Sequence, residues 1–400
     1  MKLSIITPTH KLKYIHELYE SIKIQTYSDW EWVLYLNGNA EVKDLSKEIR
    51  NDDRVSIYED REKHDNSTNV GYLKSKAFAL GKGDALLEVD HDDLILPNCL
   101  EEVSKAFIKN PNVGFVFSHC VIVGQKESIP FNPAFGWTTP YEVEWRGKKY
   151  WSNGAFEADA GAVSTIGFGP DHIRCWRTDV YKELGGHNPE LSILDDQELF
   201  MRTYMITDFH LIKKCLYIYR VHGENTWLER NAAIQTGTKK FQIEWQEKLA
   251  RLDAEKKNLK IINLSSVDFD IAKPWPLKDN SVGVVKAMHT LQLVEDQQFV
   301  MEELYRVLDD KAWAFIEVPS TDGRGAFQDP RHKSFWNENS FWYWTKKSHA
   351  NMINTKAKFQ KFAGGTSYPS KFFEEHNILC TWIYLRAIKS DSKRPGLFEF

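Results

Sequence analysis

The chain opens on an apolar, β-branched run, Leu3-Ser4-Ile5-Ile6-Thr7-Pro8-Thr9, halted by its proline; the pattern predicts a strand. Apolar residues then recur at helical spacing at Tyr14, Leu18, Ile22 and Ile24. A second strand is predicted at Trp32-Val33-Leu34-Tyr35-Leu36, ending in Asn37-Gly38-Asn39, and a charged helix from Val42 to about Arg50. Val55-Ser56-Ile57-Tyr58, ending at Glu59-Asp60, reads as a third strand, and Gly71 to Leu80 as a helix. Gly81 and Gly83 punctuate the approach to a fourth strand, Ala85-Leu86-Leu87-Glu88-Val89, whose apolar run suits the middle of a sheet. Strand and helix alternate, which predicts an α/β fold with a mostly parallel sheet and helices on both faces.

The fourth strand ends abruptly in Asp90-His91-Asp92-Asp93. In open α/β sheets ligands bind beyond the carboxyl ends of the strands, and carboxylates crowded there repel one another unless a cation neutralises them. Asp90 and Asp92, one residue apart, both reach one hard divalent cation from a tight turn. Two carboxylates leave positions on that cation for water and phosphate oxygens. The competing reading is a solvated acidic turn ahead of the helix expected from Pro97 onward.

Composition narrows the field. With 400 residues, 42% hydrophobic and 13% aromatic, the chain has apolar material for two domains or more, which excludes a disordered protein. The net charge of −4 and the lack of a long basic run give no push toward nucleic acid. Five scattered cysteines, Cys99, Cys120, Cys175, Cys215 and Cys380, form no Cys-x-x-Cys pair and predict reduced thiols. Met1 to His10 is too brief for a signal peptide, and no stretch is long enough to span a bilayer. A soluble, cytoplasmic protein is the expectation; nothing in the pattern gives its oligomeric state.

In this order the motifs resemble the nucleotide-binding half of the GT-A-fold glycosyltransferases, family 2. Thr7-Pro8-Thr9 stands where that family ends its first strand, Leu36-Asn37-Gly38-Asn39 where it carries an acidic turn, Lys74 at the position of an arginine, and Asp90-His91-Asp92 at its metal motif. The resemblance implies a GT-A (Rossmann-like) domain over residues 1–235. It implies donor contacts from Thr7, Pro8, Thr9, Asn37, Asp60, Lys74, Asp90 and His91, with Asn37 replacing the carboxylate that contacts uracil in relatives. An amide, being both donor and acceptor, still pairs with uracil.

Further on, Leu184-Gly185-Gly186-His187 and Leu194-Asp195-Asp196-Gln197-Glu198-Leu199 are similar to the family's Gly-Gly-Phe and Glu-Asp-x-Asp-Leu stretches. That similarity makes Asp196 the general base toward an acceptor hydroxyl, with Asp195 the next choice; helix N-capping is the alternative. Tyr219-Arg220-Val221-His222 matches a segment that brings a histidine to the metal, so Asp90, Asp92 and His222 are the expected ligands. Imidazole and diphosphate oxygens together suit Mn2+, or Mg2+. The implied activity is inverting transfer from a nucleotide-sugar, a UDP-sugar and most commonly UDP-glucose, to a hydroxyl of a glycan or other glycoconjugate. An inactive nucleotide-sugar or carbohydrate-binding protein is the alternative.

The aromatic region from Phe131 to Trp151, with Trp137, Tyr141, Trp145 and Tyr150, is read as a sugar-stacking wall or as buried core. His172, Arg174 and Trp176 lie at strand spacing, with Arg174 facing either a phosphate or an acidic partner. A charged helix over Phe241 to Lys257, within a connector at 236–257, leads to a second α/β pattern. There Trp275 to Val282, Phe299 to Leu308 and Ala314-Phe315-Ile316-Glu317-Val318-Pro319 resemble the later half of class I S-adenosylmethionine-dependent methyltransferases. The glycine-rich loop that should hold the cofactor before Asn263 is missing. Residues 258–400 are therefore expected to be an incomplete, non-catalytic methyltransferase-like domain that binds no S-adenosylmethionine; a bifunctional glycosyltransferase/methyltransferase is the alternative.

Overall fold

The computed structural model describes residues 1–60, 69–124, 128–129, 132–137, 141–165, 170–391, 394–396 and 399–400. They divide into two compact units. One comprises Met1–Pro133, Trp137–Ala158 and Ala162–Phe241; the other comprises Ala134–Gly136, Asp159–Gly161 and Gln242–Phe400. No helix among the described residues is long and apolar enough to cross a membrane.

The first unit is built on strands β1 (Leu3–Thr9), β2 (Trp30–Leu36), β3 (Val55–Glu59), β4 (Ala85–Glu88), β5 (Leu94–Ile95), β6 (Val113–Val123), β7 (Glu142–Trp145), β8 (Lys148–Asn153), β9 (Arg174–Arg177) and β10 (Asp208–Arg220). Their order is β3-β2-β1-β4-β9-β6-β10-β5, with the β7–β8 hairpin paired to β6. The β1–β2, β1–β4, β2–β3 and β6–β10 pairs are parallel. The short β9 runs antiparallel to both β4 and β6. Every residue of β2 and all of β1 except Pro8 are buried, as strands covered on both faces should be.

The helix Ile15–Lys23 buries Ile15, Leu18, Tyr19 and Ile22, an i, i+3, i+4, i+7 stripe. The single helix expected from Val42 to Arg50 is instead a 3₁₀ turn, Val42–Asp44, followed by the helix Lys47–Asn51. Ser46 divides them, because its hydroxyl accepts the Ile49 N–H at 3.3 Å and starts a new helix.

Two hydrogen bonds tie three strands together beneath the site. The Thr7 hydroxyl on β1 accepts from Trp32 Nε1 on β2 at 3.0 Å and donates to the carbonyl of Val89, just after β4, at 2.9 Å. The carboxyl ends of β1 and β2 are level, with Thr9 beside Leu36, and β4 ends beside Ile6.

The second unit contains β11 (Lys260–Asn263), β12 (Val282–Met288), β13 (Leu308–Pro319), β14 (Phe359–Ser367) and β15 (Cys380–Ala387), ordered β11-β12-β13-β15-β14. The first three are parallel, and β15 is antiparallel to both β13 and β14. The helix Gln297–Val307 makes the crossover from β12 to β13; the Asp296 side chain caps it by accepting the Phe299 N–H, and Val300, Met301, Leu304 and Val307 are its buried stripe. The charged helix begins ten residues or so earlier than its polar pattern announced, spanning Asn231–Lys256. It tolerates Gly237 because a Cβ there would lie 2.4 Å from Leu194 Cδ1.

Candidate functional site

The acidic turn stands at the carboxyl end of β4, as its sequence position requires. Asp92 Oδ2 lies 2.7 Å from His222 Nε2, both side chains being mostly buried. His222 follows β10 and is fixed by its own backbone, whose N–H donates to Asn225 Oδ1 at 3.0 Å. Its ring stacks on Tyr14, with centroids 5.4 Å apart. His91 packs edge-on against His10.

Asp93 turns inward and is fully buried, accepting the Tyr217 hydroxyl and the Arg220 N–H, each at 2.8 Å. The Asp90 N–H in turn donates to the Tyr217 oxygen at 3.1 Å, so one tyrosine braces the turn. One ligand-type atom from each of Asp90, Asp93 and the buried His172 falls within 4.8 Å of the others. His172 is stacked on Tyr217 at 4.5 Å, and its Nδ1 has no hydrogen-bond partner.

Charge is concentrated here. Burial first, and then the neighbouring Glu88 and Asp92, push the Asp90 carboxyl up to about 7 even though Lys74 and Arg174 oppose the shift. Burial also raises Asp93, with Asp92 and Asp90 adding to it. Carboxylates that resist ionisation together are what a divalent cation relieves. Asp90, Asp93 and His172 are the trio whose ligand atoms converge, while of the expected ligands Asp90, Asp92 and His222 the contact is that between Asp92 and His222; carboxylates at this turn with an imidazole beside them fit a divalent cation such as Mn2+.

Beside the turn lies a buried ionic network that the sequence did not announce, centred on Glu88, the last residue of β4. Its Oε1 lies 2.8 Å from Lys74 Nζ and 3.0 Å from Arg174 Nη1, and its Oε2 is 3.6 Å from His187 Nε2. Burial disfavours the charge on Glu88, but Lys74 and Arg174 overcome it and hold the carboxyl well below its usual range. Lys74 stays charged by the same pairing, together with Asp195 at 3.6 Å.

Arg174 reaches on with the same Nη1 to Asp196 Oδ2 at 2.9 Å. Its partners are thus the two acids rather than bulk solvent. Asp195 and Asp196 are the first two residues of the helix Asp195–Ile206, whose N-cap is Leu194 with no side-chain cap. Neither is the N-cap residue, although Asp196 Oδ1 accepts the first-turn Gln197 N–H at 2.7 Å. Leu194 sits in the left-handed region at φ 62°, costly for a residue with a Cβ, and its turn delivers both acids to the network. Gly71 serves the opposite side, since a Cβ there would lie 2.3 Å from the Asn188 carbonyl; the helix Val70–Phe78 that bears Lys74 packs directly on that loop.

At the carboxyl end of β2, Asn37 is buried and neither its Oδ1 nor its Nδ2 has a partner. Leaving a buried amide unpaired costs about 1–3 kcal/mol per group, and both polar atoms of this side chain are available to a partner. Its N–H donates to the Thr9 carbonyl at 2.9 Å. The Thr9 hydroxyl bonds the Lys11 carbonyl, Pro8 lies between the two threonines and is half-buried, and the Asp60 N–H donates to the Leu36 carbonyl at 2.8 Å.

Of the aromatic region, Trp145 packs into an apolar cluster with Leu94, Leu96, Val121, Cys215 and Ile218, joined by Tyr141 and Tyr150. These rings are core. Trp151 is 47% exposed. Phe131 and residues 138–140 of this stretch lie outside the described residues.

The model of the family described as Glycosyl transferase family 2 matches residues 4–166, and that described as Methyltransferase domain matches residues 229–316. A glucosyl-dolichyl phosphate glucuronosyltransferase of Haloferax volcanii is 24% identical over 254 residues, covering 61% of this chain and 72% of that protein. An uncharacterized glycosyltransferase of Haemophilus influenzae is 32% identical over 140 residues, covering 31% of this chain and 41% of its own. Among solved structures, S. aureus TarS 1–349 in complex with UDP-GlcNAc aligns at 20% identity with a TM-score of 0.44, over 56% of this chain and 60% of that one.

Proposed function

We propose, from the premise that residues 4–166 match glycosyltransferase family 2, that residues 1–235 form a metal-dependent inverting glycosyltransferase. Its donor is a UDP-sugar, with UDP-glucose the first candidate, and its acceptor a hydroxyl of a glycan or other glycoconjugate. The observation that carries this reading is the meeting of Asp92 and His222 at 2.7 Å across 130 residues of sequence, in the turn that also bears Asp90.

Asn37 supports a nucleoside at the end of β2, its unpaired amide offering both a donor and an acceptor to a pyrimidine edge. Thr7, Pro8, Thr9, Asp60 and His91 frame the same end of the sheet. Thr7 is fully buried, its hydroxyl is occupied internally and its backbone pairs with β2, so it supports this end of the sheet from beneath and does not touch a donor. Asp90, Asp92 and His222 would hold Mn2+ or Mg2+, which when bound neutralises the diphosphate and the charge that builds on the leaving nucleotide.

Asp196 takes the proton of the acceptor hydroxyl as its oxygen bonds to the anomeric carbon, while the bond from that carbon to the diphosphate breaks and its electron pair leaves with the nucleotide. One displacement inverts the carbon. Oδ2 of Asp196 is engaged by Arg174 and Oδ1 by the Gln197 N–H at 2.7 Å, but a carboxylate oxygen has two lone pairs and keeps one for the proton. Asp195 is the next candidate base, although burial raises its pKa and disfavours its charge.

Residues 258–400 fit a non-catalytic role, with 236–257 the connector. No glycine occurs between Gly237 and Gly283, so the strand end at Asn263 lacks the residue that lets a backbone approach a cofactor closely. S-adenosylmethionine should leave the melting temperature of the full chain unchanged, and a shift would reopen the bifunctional reading.

The test is a panel of nucleotide-sugars scored by thermal stabilisation and by hydrolysis, with Mn2+ and with EDTA. UDP-sugars should stabilise the protein in Mn2+ alone. A protein indifferent to every nucleotide-sugar, or equally stabilised in EDTA, would defeat the proposal.

A further inference from the structure

We propose that the second unit carries a site for a thiophilic divalent cation of the zinc class, held by His289, Glu317 and Cys380. The three come from three strands and meet at one end of the sheet. His289 follows β12, Glu317 lies near the carboxyl end of β13, and Cys380 is the first residue of the antiparallel β15. Because β15 runs the other way, its start lies beside the ends of the two parallel strands, the end of an open α/β sheet at which ligands bind.

The register explains the meeting. Cys380 pairs with Pro319 and Trp382 with Glu317 across β13 and β15. Residues 317 and 319 share a face, as do 380 and 382, so the carboxylate and the thiol project to the same side. His289 closes the group. Its N–H donates to the Glu317 carbonyl at 2.8 Å, its φ is 52°, and its Nε2 comes to 3.1 Å from Glu317 Oε1. Phe373 stacks on the imidazole at 5.5 Å with the rings 16° from parallel, which sets the ring's plane. One ligand atom from each of the three residues lies within 4.8 Å of the others.

A surface ion pair needs only two groups. The third group here is a buried thiol whose recorded contact, to the Ile378 carbonyl, is a long 4.0 Å. Bonds of about 2.0 Å to nitrogen and oxygen and about 2.3 Å to sulfur place tetrahedral ligands roughly 3.3–3.5 Å apart. His289 and Glu317 are already near that spacing, and Cys380 Sγ needs to approach by at most about 1.3 Å.

Thiolate, carboxylate and neutral imidazole together carry two negative charges, matching a divalent cation. Sulfur and imidazole select zinc-like ions over magnesium, calcium or manganese. Three protein ligands leave a fourth position for water or a small ligand. The Glu317 and His289 side chains are 14% and 34% exposed, so the opening lies on the histidine side while the thiol side is closed.

Co2+ titrated into the full chain tests this directly. One equivalent should give a near-ultraviolet thiolate-to-cobalt band together with visible bands of tetrahedral strength, and Zn2+ should abolish both. Cys380→Ser should lose the thiolate band. Glu317→Gln, a near-isosteric change outside the core, should weaken Co2+ binding by roughly tenfold or more while the circular dichroism is unchanged. Asp92→Asn should leave the band intact, separating this site from the one at Asp90 and from the fate of the proposed function. No thiolate band in the wild type, a band that persists in Cys380→Ser, or unaltered affinity in Glu317→Gln would each overturn the assignment.

Discussion

His222 Nε2 lies 2.7 Å from Asp92 Oδ2 across 130 residues of sequence. If the two share a cation, each should be needed for tight donor binding. Asp92→Asn and His222→Ala should each weaken UDP binding in Mn2+ by on the order of tenfold or more, and raising Mn2+ should recover part of it. Calorimetry of UDP with Mn2+ and with EDTA measures this. Variants that bind like the wild type would leave the contact as a simple hydrogen bond.

Asp196 separates transfer from binding. Asp196→Asn keeps the shape and most of the hydrogen bonding, so donor affinity should survive while transfer to an authentic acceptor falls by about 10²- to 10⁴-fold. If turnover is undiminished, attention moves to Asp195.

Asp90 should make cation binding depend on pH. With its carboxyl pushed from 3.8 to about 7, the folded, metal-free protein keeps a proton that the unfolded chain has released. The resulting stabilisation is complete below the lower of these values and is lost as pH rises through the upper. On the proposed reading, a cation held by Asp90 would need the carboxylate and displace that proton. Apparent Mn2+ affinity should rise about tenfold per pH unit below neutrality and level off above it. Titrations in two buffers of different ionisation enthalpy count the proton, and a count of zero would refute the coupling.

Lys74 is where a donor-contact role and a structural role part company. Its ammonium is buried between Glu88 and Asp195, so Lys74→Met breaks a buried ion pair, leaves Arg174 as the cation facing Glu88, and should cost about 3–5 kcal/mol in urea unfolding. A phosphate-binding lysine free of the network would instead lose donor affinity at unchanged stability.

The contrast between Lys74 and Asp92 shows what was legible in the chain. Strands β1, β2 and β4 announce themselves as apolar runs, and the acids that follow β4 can only fall at its carboxyl end. By pattern Glu88 is one more residue of a buried strand. Its charge is tolerated there because Arg174 arrives from 86 residues away, and no local periodicity carries that information. The same holds for His172 and Tyr217, which meet through strand order. Asn37 was legible only through its motif; that its amide is unpaired is a property of packing. The helix break at Ser46 could have been found from its serine cap, a signal weaker than the charged run around it.

The Thr7 hydroxyl, joined to Trp32 on one side and to the Val89 carbonyl on the other, ties β1, β2 and the end of β4 to one another. On the proposed reading, the base is gripped at the Asn37 end and the phosphates at the Asp90 end of these tied strands. A sugar carried on a nucleoside monophosphate, one phosphate shorter, would engage one end or the other but not both, so discrimination by donor length needs no residue that touches the sugar.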